Sequence, residues 1–197
     1  MEPFTVVKSK AVPLDRVNVD TDQIVPKQFL KLISKTGYGK YLFYDWRFDA
    51  HGKPRQDFVL NESEYAGRWI LLTRDNFGSG SSREHAAWAL HDYGFRAIIA
   101  PSFADIFYNN CSKNGILAAR LATREIDYLF ENKDLDIVID LRSQTISAGK
   151  LNTTFEIDEF RKTVLLEGLD SIGLTLKLEK QIGNFESKNT TLIPAAG

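Results

Sequence analysis

A turn rich in glycine and serine, with one arginine, offers the clearest chemistry in this sequence. Residues 78–83 read Gly-Ser-Gly-Ser-Ser-Arg and stand between a predicted buried strand, 68–73, and a predicted helix. Amides at a helix N-terminus point outward and stabilise an anion placed above them. The guanidinium of Arg83 would add its charge at the same place. Two interpretations are open on these residues alone: a purely structural turn in which Ser81 or Ser82 caps the helix, which an isolated pair of glycines favours, and a small-anion site.

Residues that are missing from this turn narrow the choice of anion. A P-loop ends in Gly-Lys-Ser or Gly-Lys-Thr, and residues 78–83 contain no lysine. A dinucleotide-binding turn has a third glycine where this chain has Arg83. Because arginine binds planar carboxylates through two parallel hydrogen bonds, these residue types favour a carboxylate ligand over a nucleotide.

The cysteine and histidine content argues against a metal site within the chain. Cys111 is the single cysteine, whereas zinc and iron–sulfur sites usually need several thiolates or imidazoles. The three histidines, His51, His85 and His91, lack the HExxH spacing of a zinc-binding helix. We therefore predict that this chain binds no metal and no cofactor, and that Cys111 is a small buried helix residue and not a nucleophile.

Short strands and helices in alternation must position the turn. Strand, helix, strand and helix in this order predict an α/β domain with at least one parallel pair of strands. Pro13 inside residues 4–19 suggests one short strand followed by a turn. The further predicted elements are strands at 97–100, 135–141, 145–147 and 153–157, and helices from Glu84 or His85 to Tyr93, at 103–114, at 123–132 with Thr123 as cap, at 158–167, and after Asp170.

Three other stretches have weaker patterns. Residues 27–34 are predicted to form one or two helical turns. The two glycines within 36–40 favour a mobile loop over a regular element. Residues 187–197 are expected to be a frayed tail.

Composition limits the class of protein. The 197 residues carry a net charge of −1 and 43% of them are apolar, which allows a sizeable core in one domain, 1–197, without disulfides. The chain lacks the basic excess of nucleic-acid-binding proteins. It also lacks an apolar run of the ~18 residues that span a membrane, and its start does not resemble a signal peptide. We expect a cytoplasmic protein that binds neither nucleic acid nor membrane.

Several runs of residues resemble one known family. Residues 76–87, Asn-Phe-Gly-Ser-Gly-Ser-Ser-Arg-Glu-His-Ala-Ala, are similar to the serine–arginine signature in the swivelling domain of aconitase-type hydro-lyases. Residues 18–26 resemble the motif near the start of that domain. Residues 36–47 resemble the substrate loop of the bacterial 3-isopropylmalate dehydratase small-subunit family, and residues 107–115 and 168–173 extend the likeness. The resemblance implies a single swivelling-type β/β/α domain with a partly parallel sheet flanked by helices.

The same resemblance implies a lyase of leucine biosynthesis. Enzymes of this family convert 2-isopropylmalate to 3-isopropylmalate by removing and re-adding water through enzyme-bound isopropylmaleate. Their 4Fe-4S cluster lies on a large subunit, and the single Cys111 of this chain fits that division. The chain is therefore expected to act only together with an iron–sulfur large subunit.

Individual residues match functional positions of the family. Ser81 matches the serine that takes the proton beside a carboxylate, Ser82 and Arg83 match substrate-binding positions, and Asp22 matches an acidic residue that orients the site. A free serine hydroxyl is a weak base, so its alkoxide would need stabilisation by Arg83, backbone amides and the helix start.

The loop at about 34–43 is expected to select the substrate. Tyr41 and Leu42 would lie against the isopropyl group, and one apolar contact discriminates by only ~1–3 kcal/mol. Related substrates such as citraconate or homoaconitate therefore remain open. A non-catalytic anion- or nucleotide-binding α/β module that uses the glycine loop for phosphate also remains open. So do purely structural roles, with Ser82 as helix cap, Arg83 in a surface ion pair and Asp22 as a turn former.

Overall fold

The computed structural model describes residues 1–31 and 36–188. Its strands are β1 (Val6–Ser9), β2 (Ala11–Leu14), β3 (Ile70–Thr73), β4 (Ala97–Ala100), β5 (Leu117–Arg120), β6 (Ile137–Asp140), β7 (Thr145–Ala148) and β8 (Leu151–Thr154). Its α-helices are α1 (Thr21–Ile24), α2 (Tyr44–Arg47), α3 (His85–Tyr93), α4 (Asp105–Lys113), α5 (Thr123–Glu131), α6 (Glu159–Glu167), α7 (Ser171–Leu176) and α8 (Glu179–Lys188). Short 3₁₀ helices lie at Lys27–Phe29, Gly39–Tyr41, Val59–Asn61 and Ser63–Tyr65.

The strands form two sheets of opposite character. Sheet A is antiparallel, in the order β1-β6-β7-β8, and sheet B is parallel, in the order β2-β3-β4-β5. The predicted α/β class is therefore confirmed, while the parallel and antiparallel strands lie in separate sheets and not in one mixed sheet. No helix within the described ranges combines the length and apolarity needed to cross a membrane.

Sheet B is buried on both faces, which explains the uninterrupted apolar runs of its strands. Ile70 and Leu72 belong to a core cluster shared with sheet A and with α5. Leu71 and Ile98 belong to a second cluster, which includes side chains of α3 and α4. The parallel sheet therefore separates two cores, and α3 and α4 lie on the face that carries the serine–arginine turn.

The central strands and helices match their predictions closely. β4 has the predicted bounds, and α3 ends before Gly94 as predicted. Helices α4, α5 and α6 lie within their predicted ranges, and α6 begins after Asp158, whose side chain accepts from the amide of Arg161. The side chain of Asp170 caps α7, so the helical interpretation of the C-terminal segment is confirmed.

Other predictions were wrong or fall elsewhere. Residues 4–19 contain two strands, and Pro13 lies in the second, β2, at the edge of sheet B, where a missing N–H does not break a ladder. Strand β5 was not predicted, and β8 ends at Thr154 and not at residue 157. The helical prediction for 27–34 is met by the 3₁₀ helix Lys27–Phe29 alone. Residues 32–34 of that prediction and 189–197 of the predicted tail lie outside the described residues.

Candidate active site

Two loops lie side by side at the carboxyl edge of sheet B. Strands β2 and β3 are parallel neighbours, with Leu14 opposite Thr73, so the segments that follow them leave the sheet at the same edge. Ligand sites of parallel α/β sheets lie at this edge. The loop after β2 carries the first motif, 18–26, and the loop after β3 carries the serine–arginine turn.

Hydrogen bonds join the two loops along their length. Each loop supplies both donors and acceptors, as neighbouring strands do. The bonds run from the amide of Asn18 to the carbonyl of Asp75 (2.9 Å), from the amides of Gly78 and Ser79 to the carbonyl of Val19 (2.7 and 3.2 Å), and from the amide of Thr21 to the carbonyl of Ser79 (2.9 Å).

A pair of asparagines fixes the start of both loops. Asn18 and Asn76 adopt left-handed backbone conformations, with φ of +54° and +57°, and their side-chain amides are hydrogen-bonded at 2.9 Å. Asparagine tolerates this region better than most residues. Sequence reasoning missed this contact, although an asparagine opening each motif was a usable signal.

Gly78 sets the turn directly on α4. Its φ is +79°, and a Cβ built on it would lie 2.5 Å from Cβ of Phe107 and closer still to Cγ of the ring. Phe107 is buried, with its ring centroid 5.3 Å from that of Phe77. Only glycine fits this position, because it combines a left-handed conformation with contact against an aromatic ring.

The short helix α1, which lies within the first motif, orients Asp22. The carboxylate of Asp20 accepts hydrogen bonds from the amides of Asp22 (2.8 Å) and Gln23 (2.7 Å), while the Gln23 side chain accepts from the amide of Asp20 (2.9 Å). This reciprocal arrangement is a capping box. It fixes the start of α1, and with it the direction of the Asp22 side chain.

Asp22 and Arg83 meet across the two loops. Nη1 of Arg83 donates to Oδ1 of Asp22, and Nζ of Lys27 lies 3.3 Å from Oδ2 of the same carboxylate. The Arg83 side chain is 21% exposed. Among the described residues only Nη1 of this guanidinium has a hydrogen-bonding partner, so Nε and Nη2 remain free to bind a carboxylate.

Ser81 and Ser82 are both exposed, and neither caps α3. The N-cap residue of α3 is Glu84, which makes no side-chain capping bond, so the prediction that a serine caps the helix is wrong. The physical reason is that residues 81–83 form a turn of their own, so the helix begins only after them. The amide of Arg83 donates to the carbonyl of Ser81 (2.8 Å) and closes a three-residue turn around Ser82. The Ser81 hydroxyl has no hydrogen-bond partner among the described residues.

The predicted substrate loop packs on α3. Residues 39–41 form a 3₁₀ helix where a mobile loop was predicted, because Oδ2 of Asp92 accepts from the amides of Gly37 (3.0 Å) and Gly39 (2.7 Å). Tyr41 is partly exposed and stacks on Phe29, with 4.1 Å between ring centroids.

Leu42 is placed differently from the sequence-based expectation. Its side chain is 0% exposed and belongs to the core cluster beside α3. Leu42 therefore has no surface for a ligand in this structure. Tyr41, and not Leu42 or the equally buried Phe43, reaches the surface of this loop.

His85 links the substrate loop to the serine–arginine turn. Its ring lies 5.3 Å from that of Tyr38 and 4.6 Å from that of Trp88. Burial, and secondly the charge of Arg83, lower the pKa of His85. Its Nδ1 is buried without a hydrogen-bond partner among the described residues.

The chain does not fit an iron–sulfur cluster. Cys111 is fully buried in α4, as predicted, and burial raises the pKa of its thiol. Such clusters are held by several thiolates. Within the described ranges no group of three histidine, cysteine, aspartate or glutamate side chains is arranged to hold a metal ion.

Known proteins resemble this chain over nearly its whole length. Residues 1–124 match the family of aconitase C-terminal domains. The chain is 55% identical to a protein of Leptospira interrogans named 3-isopropylmalate dehydratase small subunit, over 98% of either chain, and 54% identical to one of the same name from Shouchella clausii, over 98% of this chain and 99% of that one. The solved structure of a 3-isopropylmalate dehydratase from Methanocaldococcus jannaschii superimposes with a TM-score of 0.66 at 26% identity, covering 92% of this chain and 99% of the other.

Proposed function

The chain belongs to the aconitase C-terminal domain family and, within it, to the small subunits of 3-isopropylmalate dehydratase, and from this premise we propose that it carries the serine base and the carboxylate clamp of an isopropylmalate isomerase. The observation that supports this proposal is the junction of two loops from distant parts of the chain, where Arg83 donates to Asp22 and the carbonyl of Ser81 accepts from Thr21. The proposed partner is a large subunit that holds a 4Fe-4S cluster.

The reaction needs a base beside a substrate carboxylate. In the dehydration of 2-isopropylmalate the C3–H bond breaks, its electron pair forms the C2–C3 double bond, and the C2 hydroxyl leaves as water. Rehydration with the opposite placement of hydrogen and hydroxyl gives 3-isopropylmalate. Ser81 Oγ is the proposed acceptor of the C3 proton, and in the rehydration that gives 3-isopropylmalate it is the proposed donor of a proton to C2, while the hydroxyl of water adds to C3. We assign activation of the leaving hydroxyl to the large subunit, which is consistent with a single buried cysteine in this chain and with no metal-holding group among its described residues.

The geometry of Ser81 suits this role. Its hydroxyl is exposed and makes no hydrogen bond to the described residues, so both its proton and its lone pairs are available. The guanidinium of Arg83 follows two residues later and would stabilise negative charge on the serine oxygen and on the substrate carboxylate. Asp22 holds one edge of that guanidinium and leaves the other edge for the ligand.

Ser82 and Tyr41 complete the proposed binding surface. Ser82 is exposed at the tip of the three-residue turn, and Tyr41 presents part of its ring beside Phe29. A panel of malates with different C3 substituents, together with the unsaturated acids citraconate and homoaconitate as alternative substrates, tests this surface in the reconstituted enzyme. Replacement of Tyr41 by alanine should change the ranking of the panel, whereas a change confined to kcat for every substrate would contradict a role in selection.

The central experiment combines this chain with a cluster-loaded large subunit and follows hydration of isopropylmaleate. Ser81→Ala should lower kcat by about 10²–10⁴-fold, the range typical of a lost general base. Ser187→Ala, an exposed serine of α8, serves as the matched control and should keep full activity. A Ser81→Ala complex with more than half of the wild-type rate would refute the proposed base. No turnover with any large subunit, together with a nucleotide-dependent rise in Tm, would favour the anion-binding module.

A further inference from the structure

Thr21 is a buried polar residue that the proposed chemistry does not yet use. It is 2% exposed, and its Oγ1 donates to the carbonyl of Ser81 at 3.2 Å across 60 positions of sequence. A buried hydroxyl needs a hydrogen-bond partner, and Thr21 uses for this purpose the main chain of the proposed base. Thr21 joins the two loops a second time, because its amide donates to the carbonyl of Ser79.

The carbonyl of Ser81 is held by two donors. Oγ1 of Thr21 approaches it from the first motif, and the amide of Arg83 donates to it at 2.8 Å from within the turn. Two donors on one carbonyl restrict the orientation of the peptide plane between Ser81 and Ser82. Because side chains occupy a few staggered rotamers, a fixed backbone at Ser81 limits the directions in which its hydroxyl can point.

The position of Thr21 is itself well determined. It is the first residue of α1, directly after Asp20, whose capping box fixes the helix start. Its branched side chain has few accessible rotamers. The hydroxyl of Thr21 is therefore a rigid support for the turn.

We propose that Thr21 is a positioning residue that orients Ser81 by holding its carbonyl. This inference rests on the proposed role of Ser81 as the base. Loss of the Thr21 hydroxyl would leave the base present but less well directed, and misplacement of a reacting group by about 1 Å can cost on the order of 10²-fold in rate.

The test compares three variants in the reconstituted enzyme. Thr21→Val keeps the branched shape and removes the donor, and we expect kcat to fall about 10–100-fold with KM changed less than about threefold. Thr21→Ser keeps the hydroxyl and should recover most of kcat. Thr73→Val is the matched control, because Thr73 is also buried and its Oγ1 donates to the carbonyl of Arg16 at 3.3 Å, away from Ser81. It should lower Tm to a similar degree while kcat remains unchanged.

Three kinetic outcomes would overturn the proposal. They are a Thr21→Val enzyme with wild-type kcat, a Thr21→Ser enzyme as impaired as Thr21→Val, and a Thr73→Val enzyme with the same loss of kcat.

A readout on the isolated chain separates this proposal from the proposed function. Thr21→Val should speed amide hydrogen exchange at Arg83, which donates to the same carbonyl, and leave β4 unchanged. Unchanged exchange at Arg83 would refute the positioning role of Thr21, whether or not the wild-type complex is active. An inactive wild-type complex would refute only the proposed function.

Discussion

Replacement of Gly78 by alanine should destabilise the isolated chain by about 2–5 kcal/mol, the sum of two costs. A non-glycine residue in the left-handed region costs about 1–2 kcal/mol, and Gly78 has a φ of +79°. The new methyl would also overlap the side chain of Phe107, and overpacking of this kind costs about 1–3 kcal/mol. Against a typical total stability of about 5–15 kcal/mol, this loss is readily measured.

Phe107 has little room to give way. It is 2% exposed and lies between the rings of Phe77 and Phe103, with centroid distances of 5.3 and 6.5 Å. The turn must therefore move away from α4, and we expect the reconstituted enzyme to lose activity together with stability. Urea unfolding of the isolated chain measures the free-energy change, and an unchanged m value would show that both states keep their compactness.

Gly67 provides the matched control for the conformational cost. Its φ is +73°, and a Cβ built on it meets nothing within 4 Å, so Gly67→Ala should cost only about 1–2 kcal/mol. In a Phe107→Ala background the Gly78→Ala change should fall to the same value, because the obstructing ring is gone. If Gly78→Ala costs no more than Gly67→Ala in the otherwise natural chain, contact with Phe107 is not what requires the glycine.

Two further predictions concern the substrate loop and the histidines. Asp92→Ala removes the acceptor of the amides of Gly37 and Gly39, so limited proteolysis at 36–43 should become several times faster. Asp92→Asn retains an acceptor oxygen and should be cleaved like the natural chain. Equal cleavage rates for the alanine variant and the natural chain would show that Asp92 does not hold the loop. Burial lowers the pKa of both His85 and His91, so the unfolded chain protonates these histidines at a higher pH than the folded chain does. The stability that the two neutral histidines contribute is therefore complete above the unfolded pKa of about 6.5 and is lost as the pH falls below it. Urea midpoints should fall between pH 7 and pH 5 more steeply for the natural chain than for a His85→Gln/His91→Gln variant, and parallel pH curves would exclude the histidines as the cause.

The part of the fold that could be predicted from sequence is the part where local signals agree. β3, α3 and β4 are a buried apolar run, a helix ended by Gly94 and a second apolar run stopped by Pro101, and each signal lies beside the element it defines. β5 escaped prediction because its Leu-Ala-Ala-Arg sequence contains no β-branched or aromatic residue. Its burial comes from pairing with β4, which is a tertiary effect.

The conformation of the substrate loop could not be predicted for a similar reason. The glycines of 36–40 suggest mobility when read locally. In the structure Gly39 lies so close to α3 that a Cβ would approach the amide nitrogen of Tyr93 to 2.8 Å, and Asp92 binds the loop from 53 positions away. The glycine serves close packing, and nothing within the loop itself reveals the helix against which it packs.

The candidate site shows how one missed strand can hide a contact. Ser81, Arg83 and Asp22 were each identified through the residues around them, but their meeting depends on the alignment of β2 with β3, Leu14 opposite Thr73. Pro13 argued against a strand at that point, and without β2 the first motif has no defined place. Once β2 is recognised as a parallel edge strand, both motifs must leave the sheet at one edge a few residues after their strands. The hydrogen bond from Thr21 to the carbonyl of Ser81 follows from that alignment. It could not be predicted because Pro13 argued against β2, and not because of any feature of the two motifs.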